Sequence, residues 1–110
     1  MTKRDTLGEL AQIIRERRVG DADSSYTRKL LDAGPARCAK KFGEEAVEAV
    51  IAAMEPDADA LMSEAADVLY HLLVLLEARG VELNDVLTKL QVRMGVSGLA
   101  EKAARKAETL

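Results

Sequence analysis

The hydrophobic residues of this chain recur every three or four positions, and short breaks divide them into five segments. This spacing places the apolar side chains of each segment along one stripe of an α-helix. Helices are therefore predicted over residues 5–18, 24–33, 35–54, 57–79 and 83–94. Because the connections are short, successive helices are expected to pack antiparallel, in an all-α bundle of four to five helices.

The predicted helix ends rest on residues that cap or interrupt helices. Ser24 or Ser25 is positioned to cap the second helix, and Gly34 is positioned to end it. Pro56 ends the third helix and Gly80 closes the fourth. These breaks leave no long linker, so residues 1–95 are expected to form a single domain. Residues 96–110 form a tail, predicted to be helical from Ser97 but weakly anchored.

The third and fourth helices carry the most apolar surface. On the third helix this surface is predicted at Cys38, Phe42, Ala46, Ala49, Val50 and Ala53. On the fourth it covers most of the circumference, at Leu61, Ala65, Val68, Leu69, Leu72, Leu73, Leu75 and Leu76. A helix that is apolar nearly all round is buried on several sides. The fourth helix is therefore predicted to be central in the bundle, to form a dimer interface, or both.

The composition supports helices and argues against other fold classes. Eighteen alanines and fifteen leucines make up thirty-three of the 110 residues, and both types head the helix propensity scale. Aromatic residues form only 3% of the chain, which disfavours sandwiches, barrels and base stacking on nucleic acid. With 48% hydrophobic residues and a net charge of −3, a disordered chain is not expected.

The net charge, the cysteine count and the length of the apolar runs limit which partners and which cellular compartment can be expected. The slightly negative net charge does not favour binding to nucleic acid. The longest apolar run, residues 72–76, is far shorter than the roughly twenty residues needed to span a bilayer. The single cysteine, Cys38, cannot form an intrachain disulfide, which suits a reducing compartment. We therefore expect a cytoplasmic protein that binds neither nucleic acid nor membranes, with Cys38 as a small buried residue.

Acidic residues occur at helical spacing on the third and fourth helices. Glu45 and Glu48 are three residues apart, as are Glu64 and Asp67, so each pair lies on one helical face. In an antiparallel hairpin the two pairs can face each other, and their repulsion would raise their pKa values. A bound divalent cation removes that penalty, and an all-oxygen ligand set favours Mg²⁺ or Mn²⁺ over zinc.

The alternative interpretation is that these carboxylates are solvated acids on exposed faces. It fits the acidic run of Glu44, Glu45 and Glu48 about as well as a metal site does. It fits Glu64 and Asp67 less well, because they interrupt an almost continuous apolar helix. The two pairs taken together favour the metal site.

Basic residues precede the carboxylates along the chain. They are Arg28, Lys29, Arg37, Lys40 and Lys41. A strip of cations leading into a metal site is typical of polyphosphate binding, so these five are candidate phosphate contacts. His71 shares a helical face with Asp67, and it is expected to orient a carboxylate, to contact phosphate, or simply to pack.

Three segments resemble the phosphoribosyl-ATP pyrophosphatase family of histidine biosynthesis: SYTRKLL at 25–31, KKFGEEAVE at 40–48 and EAADVLYHLLVLL at 64–76. The wider Glu-Glu-x-x-Glu and Glu-x-x-Asp pattern resembles the MazG-like all-α nucleoside triphosphate pyrophosphohydrolases. The resemblance covers about residues 5–95. It implies a MazG-like bundle completed by homodimerisation, with a small-molecule nucleotide as substrate.

The implied reaction is hydrolysis of the α–β phosphoanhydride of phosphoribosyl-ATP, which gives phosphoribosyl-AMP and pyrophosphate. By resemblance, Mg²⁺ would be held by Glu45, Glu48, Glu64 and Asp67. Glu44 would be a further ligand, or would orient or deprotonate the attacking water. The catalytic candidates are thus Glu44, Glu45 and Glu48, with His71 as a supporting residue.

Two other functions compete with this one. The first is a MazG-like pyrophosphatase that acts on other nucleoside or deoxynucleoside triphosphates with the same carboxylates. The second is a non-catalytic helical dimerisation module whose acidic residues are incidental. The first differs only in substrate, whereas the second predicts neither Mg²⁺ binding nor turnover.

Overall fold

The computed structural model describes residues 5–20, 25–95 and 105. The described residues form five α-helices and no strand. The helices are α1 (Thr6–Arg17), α2 (Tyr26–Ala33), α3 (Pro35–Ala52), α4 (Ala58–Ala78) and α5 (Leu83–Met94). The predicted all-α class is confirmed, and each predicted helix agrees with the observed one to within about two residues. Apart from Arg105, which is helical, the predicted tail helix from Ser97 lies outside the described residues, as does Ser24.

The helix ends follow from local chemistry. The side chain of Ser25 accepts a hydrogen bond from the backbone N–H of Arg28 at 3.1 Å and so caps α2. Gly34 has φ +97°, a conformation that L side chains rarely adopt, and it separates α2 from α3 within a single residue. Gly80, which follows the end of α4, also has a positive φ, of +70°. Asp57 caps the start of α4 through the backbone N–H of Asp59.

The core lies where four helices meet. It consists of Ile14, Leu30, Cys38, Leu73 and Val74, each at most 5% exposed. The Cys38 thiol donates to the carbonyl oxygen of Leu30, and burial raises its pKa, as expected of a small core residue. α4 contacts α1, α2 and α3, so its predicted central position is confirmed.

One predicted surface is wrong in detail. Val50 and Ala53 are exposed on α3, whereas Ala52 is buried. The face of α3 that packs on α4 is therefore rotated towards Glu45 relative to the predicted face. The reason is that α3 carries a second apolar stripe, and the predicted face combined residues from both stripes. Among the described residues, no helix is both long enough and apolar enough to cross a bilayer.

Candidate metal centre and active site

The α3–α4 hairpin brings three predicted carboxylates together. A five-residue turn after Ala52 reverses the chain, and the two helices form the largest helix contact in the fold. One carboxylate oxygen each of Glu45, Glu48 and Glu64 lies within 4.8 Å of the others. The facing of the two acidic pairs, predicted from their i, i+3 spacing, is therefore realised by these three side chains.

Crowding changes the acidity of two of these groups. The pKa of Glu45 is raised, first because its carboxyl group hydrogen-bonds that of Glu48 and next because it is largely buried. The pKa of Glu64 is raised chiefly by desolvation and then by the negative charge of Glu48. Both shifts therefore combine desolvation with the nearness of other carboxylates.

The cluster fits a hard divalent cation. Oε2 of Glu64 is buried and has no hydrogen-bond partner in the described chain, although buried polar atoms are almost always bonded. A cation within reach of all three carboxylates would satisfy that oxygen and remove the repulsion that raises the pKa values. Carboxylate oxygens alone are the ligand set that Mg²⁺ and Mn²⁺ prefer.

The other two acidic candidates lie at the edge of the cluster. Asp67 is exposed one turn after Glu64 on α4, and its negative charge contributes to the raised pKa of both Glu45 and Glu64. Its carboxylate is not among the three that converge within 4.8 Å. The Glu44 side chain is 49% exposed, so it faces solvent beside the cluster.

The five basic candidates occupy three kinds of position. Lys41 lies at the cluster, with Nζ 3.5 Å from Glu44 Oε1 and 3.9 Å from Glu45 Oε1. Arg28 on α2 is held by Asp32 at 3.1 Å and by the carbonyl oxygen of Gly20. The remaining three are exposed: Lys29, Arg37 and Lys40. The structure thus brings one predicted cation, Lys41, into contact with the carboxylates.

His71 lies close enough to the cluster for its charge to oppose the raised pKa of Glu45, but its two ring nitrogens meet other partners. Its Nδ1 donates to the backbone carbonyl oxygen of Asp67 at 2.8 Å, because a carbonyl oxygen can only accept. Its Nε2 lies 3.3 Å from the hydroxyl of Tyr26 on α2. Next to this pair, the hydroxyls of Thr27 and Tyr70 also bond. Sequence analysis missed Tyr26 and Thr27 as partners of α4, since no local pattern marks contacts more than forty residues apart.

A small open cleft adjoins the cluster. It has a volume of about 260 Å³ and lies where α3 ends and α4 begins. Its lining consists of Glu48, Ile51, Ala52, Glu55, Ala60 and Glu64. Two members of the carboxylate cluster therefore also form a wall of this cleft. Sequence analysis did not single out Glu55, Ile51 or Ala60, since they carry no motif.

Comparison with known proteins identifies relatives along nearly the whole chain. The family model for phosphoribosyl-ATP pyrophosphohydrolase matches residues 7–94. Phosphoribosyl-ATP pyrophosphatase 1 of Rhodopseudomonas palustris is 58% identical over 94% of this chain and 96% of its own length. Phosphoribosyl-ATP pyrophosphatase of a Ruegeria species is 60% identical over 90% of this chain and 94% of its own length. From both findings, the chain belongs to the phosphoribosyl-ATP pyrophosphohydrolase family.

Proposed function

We propose that this protein hydrolyses the α–β phosphoanhydride of phosphoribosyl-ATP, releasing pyrophosphate and phosphoribosyl-AMP in histidine biosynthesis. The observation that carries the proposal is the convergence of Glu45, Glu48 and Glu64 in a chain that belongs to this family. Family membership also argues against a non-catalytic dimerisation module, because the matched region includes both acidic helices.

Glu45, Glu48 and Glu64 would hold Mg²⁺, or Mn²⁺ in its place, and Asp67 would complete the ligand set from the same face of α4. The buried, unpartnered oxygen of Glu64 and the raised pKa values of Glu45 and Glu64 support this assignment. When bound, the cation supplies positive charge to the phosphate oxygens and acidifies the attacking water.

Glu44 is the best-placed residue to orient the water and accept its proton. Its side chain is half exposed, and it adjoins Glu45 in the chain without joining the three converging carboxylates. Lys41 pairs with Glu44 at 3.5 Å and would be positioned to contact a departing phosphate. Arg28, Lys29, Arg37 and Lys40 would supply further phosphate contacts around the site.

The protein would work as a homodimer in the cytoplasm, with a small-molecule nucleotide as substrate. A stripe of large apolar side chains is exposed near the end of α3: Val47, Val50 and Ile51, followed by Met54 after the helix. A second copy of the chain covering this stripe would remove it from water. The free thiol of Cys38 suits a reducing compartment.

Pyrophosphate release from purified protein tests the proposed function. With Mg²⁺, we expect turnover of phosphoribosyl-ATP and little turnover of ordinary nucleoside or deoxynucleoside triphosphates. Turnover of those nucleotides in place of phosphoribosyl-ATP would instead establish the wider MazG-like activity. Absence of release from every substrate, with Mg²⁺ and with Mn²⁺, would refute an enzymatic role.

Two isosteric substitutions test the ligand assignment. Glu48→Gln and Asp67→Asn remove one negative charge each and keep the side-chain size, so helicity by circular dichroism should be unchanged. We expect both to abolish turnover, with Glu48→Gln the more severe because Glu48 lies within the converging cluster. Near wild-type rates in either variant would show that its carboxylate is not a ligand.

A further inference from the structure

His71 is the single histidine of the chain, and it lies at the edge of the carboxylate cluster. It follows Asp67 by four residues and Glu64 by seven on α4, so the three side chains share one face of the helix. Its charge acts on Glu45, which meets α4 at the cluster. The imidazole is therefore a close neighbour of the carboxylates, although it is not among the groups that converge within 4.8 Å.

A histidine nitrogen beside a carboxylate site changes which metal the site selects. Imidazole suits Zn²⁺ and other transition ions, whereas Mg²⁺ prefers ligand sets made of oxygen. With the same nitrogen and oxygen ligands, Zn²⁺ also binds more tightly than Mn²⁺. Three carboxylates with an available imidazole next to them would therefore favour Zn²⁺, and selection of Mg²⁺ requires that the nitrogen stay outside the ligand set.

Both ring nitrogens of His71 are occupied by bonds within the protein. Nδ1 donates to the backbone carbonyl oxygen of Asp67 at 2.8 Å. A neutral imidazole carries one ring proton, so Nε2 is the acceptor, and the Tyr26 hydroxyl donates to it at 3.3 Å. Nε2 bears the lone pair with which a neutral histidine of this tautomer binds a metal. Tyr26 therefore occupies the atom through which His71 would join the cluster.

Ring contacts hold the Tyr26 hydroxyl on this nitrogen. The rings of Tyr26 and Tyr70 stack with centroids 6.5 Å apart, and both meet the imidazole edge-on, at 6.2 and 4.9 Å. Beside them, the hydroxyls of Thr27 and Tyr70 bond and fix the first turn of α2 against α4. Because His71 is only 6% exposed, its ring has little room to turn.

We propose that Tyr26 is a positioning residue that withholds His71 from the metal, so that the site binds its cation through carboxylate oxygens and selects Mg²⁺ or Mn²⁺ over Zn²⁺. Tyr26 acts through His71, because its hydroxyl saturates Nε2 and ties the ring to α2. This inference rests on the proposed function, since it assumes a cation at Glu45, Glu48 and Glu64. It gives a residue that carries no ligand atom a role in the choice of metal.

Removing one hydroxyl tests the proposal without altering any carboxylate. Tyr26→Phe removes the bond to Nε2 and keeps the ring that stacks on Tyr70. Tyr70→Phe is the matched control, because the same substitution there breaks the neighbouring bond between α2 and α4 and leaves both partners of His71 in place. Binding of Zn²⁺ and of Mg²⁺ is measured by calorimetry at about pH 7.5, where an ordinary imidazole is mostly neutral.

Loss of an outer-shell hydrogen bond changes metal affinity by about ten- to a hundredfold, so we expect Tyr26→Phe to bind Zn²⁺ about tenfold more tightly than wild type. Its Mg²⁺ affinity should stay within about twofold of wild type, because Mg²⁺ gains little from a nitrogen ligand. Tyr70→Phe should change neither affinity. Unchanged Zn²⁺ binding in Tyr26→Phe, or an equal gain in Tyr70→Phe, would overturn the proposal.

A second substitution identifies the source of the gain. Adding His71→Asn to Tyr26→Phe keeps a donor for the Asp67 carbonyl oxygen and removes Nε2. The extra affinity for Zn²⁺ should disappear in this double variant. A gain that persisted would come from another group and would contradict the role of His71.

Pulsed electron paramagnetic resonance of bound Mn²⁺ tests the wild-type protein directly. A coordinated imidazole adds nitrogen hyperfine modulation to the Mn²⁺ signal, and the chain has one histidine from which it could come. We expect no directly bound nitrogen in wild type. Its detection would show that His71 is a ligand despite Tyr26 and would overturn the proposal, whether or not the variants fold.

The two proposals fail in different ways. If wild-type protein binds Mg²⁺ and cleaves phosphoribosyl-ATP but Tyr26→Phe leaves Zn²⁺ affinity unchanged, only the role of Tyr26 is wrong. If wild-type protein binds neither Mg²⁺ nor Mn²⁺, the metal assignment of the proposed function is wrong and the role of Tyr26 falls with it.

Discussion

Glu64 shows why the carboxylate cluster destabilises the folded protein when no metal is bound. It lies on a predominantly apolar helix, and one of its oxygens is buried without a hydrogen-bond partner among the described residues. Uncompensated burial of charge destabilises a fold, and the raised pKa values of Glu45 and Glu64 express that cost. A ligand that binds the carboxylates only in the folded state would offset this destabilisation.

These shifts predict how stability depends on pH. Because both pKa values lie above the ordinary 4.5, the folded protein binds more protons than the unfolded chain as these groups titrate. The cluster is therefore least destabilising below pH 4.5, and its cost grows as pH rises through the folded-state pKa values. Between pH 5 and 7, we expect wild-type protein without metal to lose stability relative to Glu48→Gln, measured by thermal unfolding.

Mg²⁺ should reverse this ranking at pH 7. The cation binds the folded cluster of wild-type protein and raises its melting temperature by mass action. Glu48→Gln lacks one ligand and should gain much less. If Glu48→Gln melted below wild type at pH 7 without metal, repulsion within the cluster would not be the source of the shifts.

The helices are held in place by polar contacts that differ from those a helical pattern predicts. Arg15 and Arg18, near the end of α1, would each favour the helix dipole by position alone. In the structure both instead pair with Glu77 of α4, at 3.5 and 3.1 Å, and Arg18 also donates to the Glu77 carbonyl oxygen. Because the Glu77 side chain is only 16% exposed, these pairs are better shielded from solvent than most surface ion pairs.

Removing the charge of Glu77 tests how much this contact stabilises α1 on α4. Glu77→Gln keeps the side-chain volume and leaves the backbone bond to Arg18 in place. We expect the free energy of unfolding in urea to fall by about 1 kcal/mol, the upper end for exposed or partly exposed pairs. The matched control is Glu82→Gln, whose side chain is 59% exposed and, within the described residues, pairs with Arg15. A loss at Glu82 as large as that at Glu77 would contradict the role of burial.

α3 has two apolar faces, and among the described residues only one of them is covered. One packs on α4, whereas Val47, Val50 and Ile51, with Met54 just after the helix, are exposed. On α4, Met62 and Leu69 are also exposed, whereas Leu73 near the far end of the helix is buried in the core. The half of the hairpin that bears the carboxylate cluster therefore carries the unpartnered apolar surface.

A charge on the uncovered face of α3 should separate the proposed dimer. Val50→Asp places a carboxylate in the stripe, where burial against a second copy would be unfavourable. Sedimentation should shift from twice 11.9 kDa towards 11.9 kDa. Val92→Asp on α5 is the matched control, because Val92 is 65% exposed and Val50 is 67% exposed. A monomeric wild type, or equal dissociation by both variants, would refute this interface.

The helices themselves were predictable from the chain, because their causes are local. The apolar spacing, the Ser25 cap and the two glycines at positive φ each act within a few residues. The acidic pairs were predictable for the same reason, since i, i+3 spacing places two side chains on one helical face wherever the helix packs. The fold class and the three converging carboxylates could therefore be predicted from the sequence.

The rest depends on how the helices are rotated and which faces meet. α3 has two apolar stripes of similar quality, so the pattern could not decide between Val50 and Ala52 as the packed residue. Packing against α4 selects one face, and that choice moves Glu45 inward and leaves Asp67 outside the tight cluster. The Glu77 ion pairs and the cleft also depend on helix packing, because each joins residues from different helices.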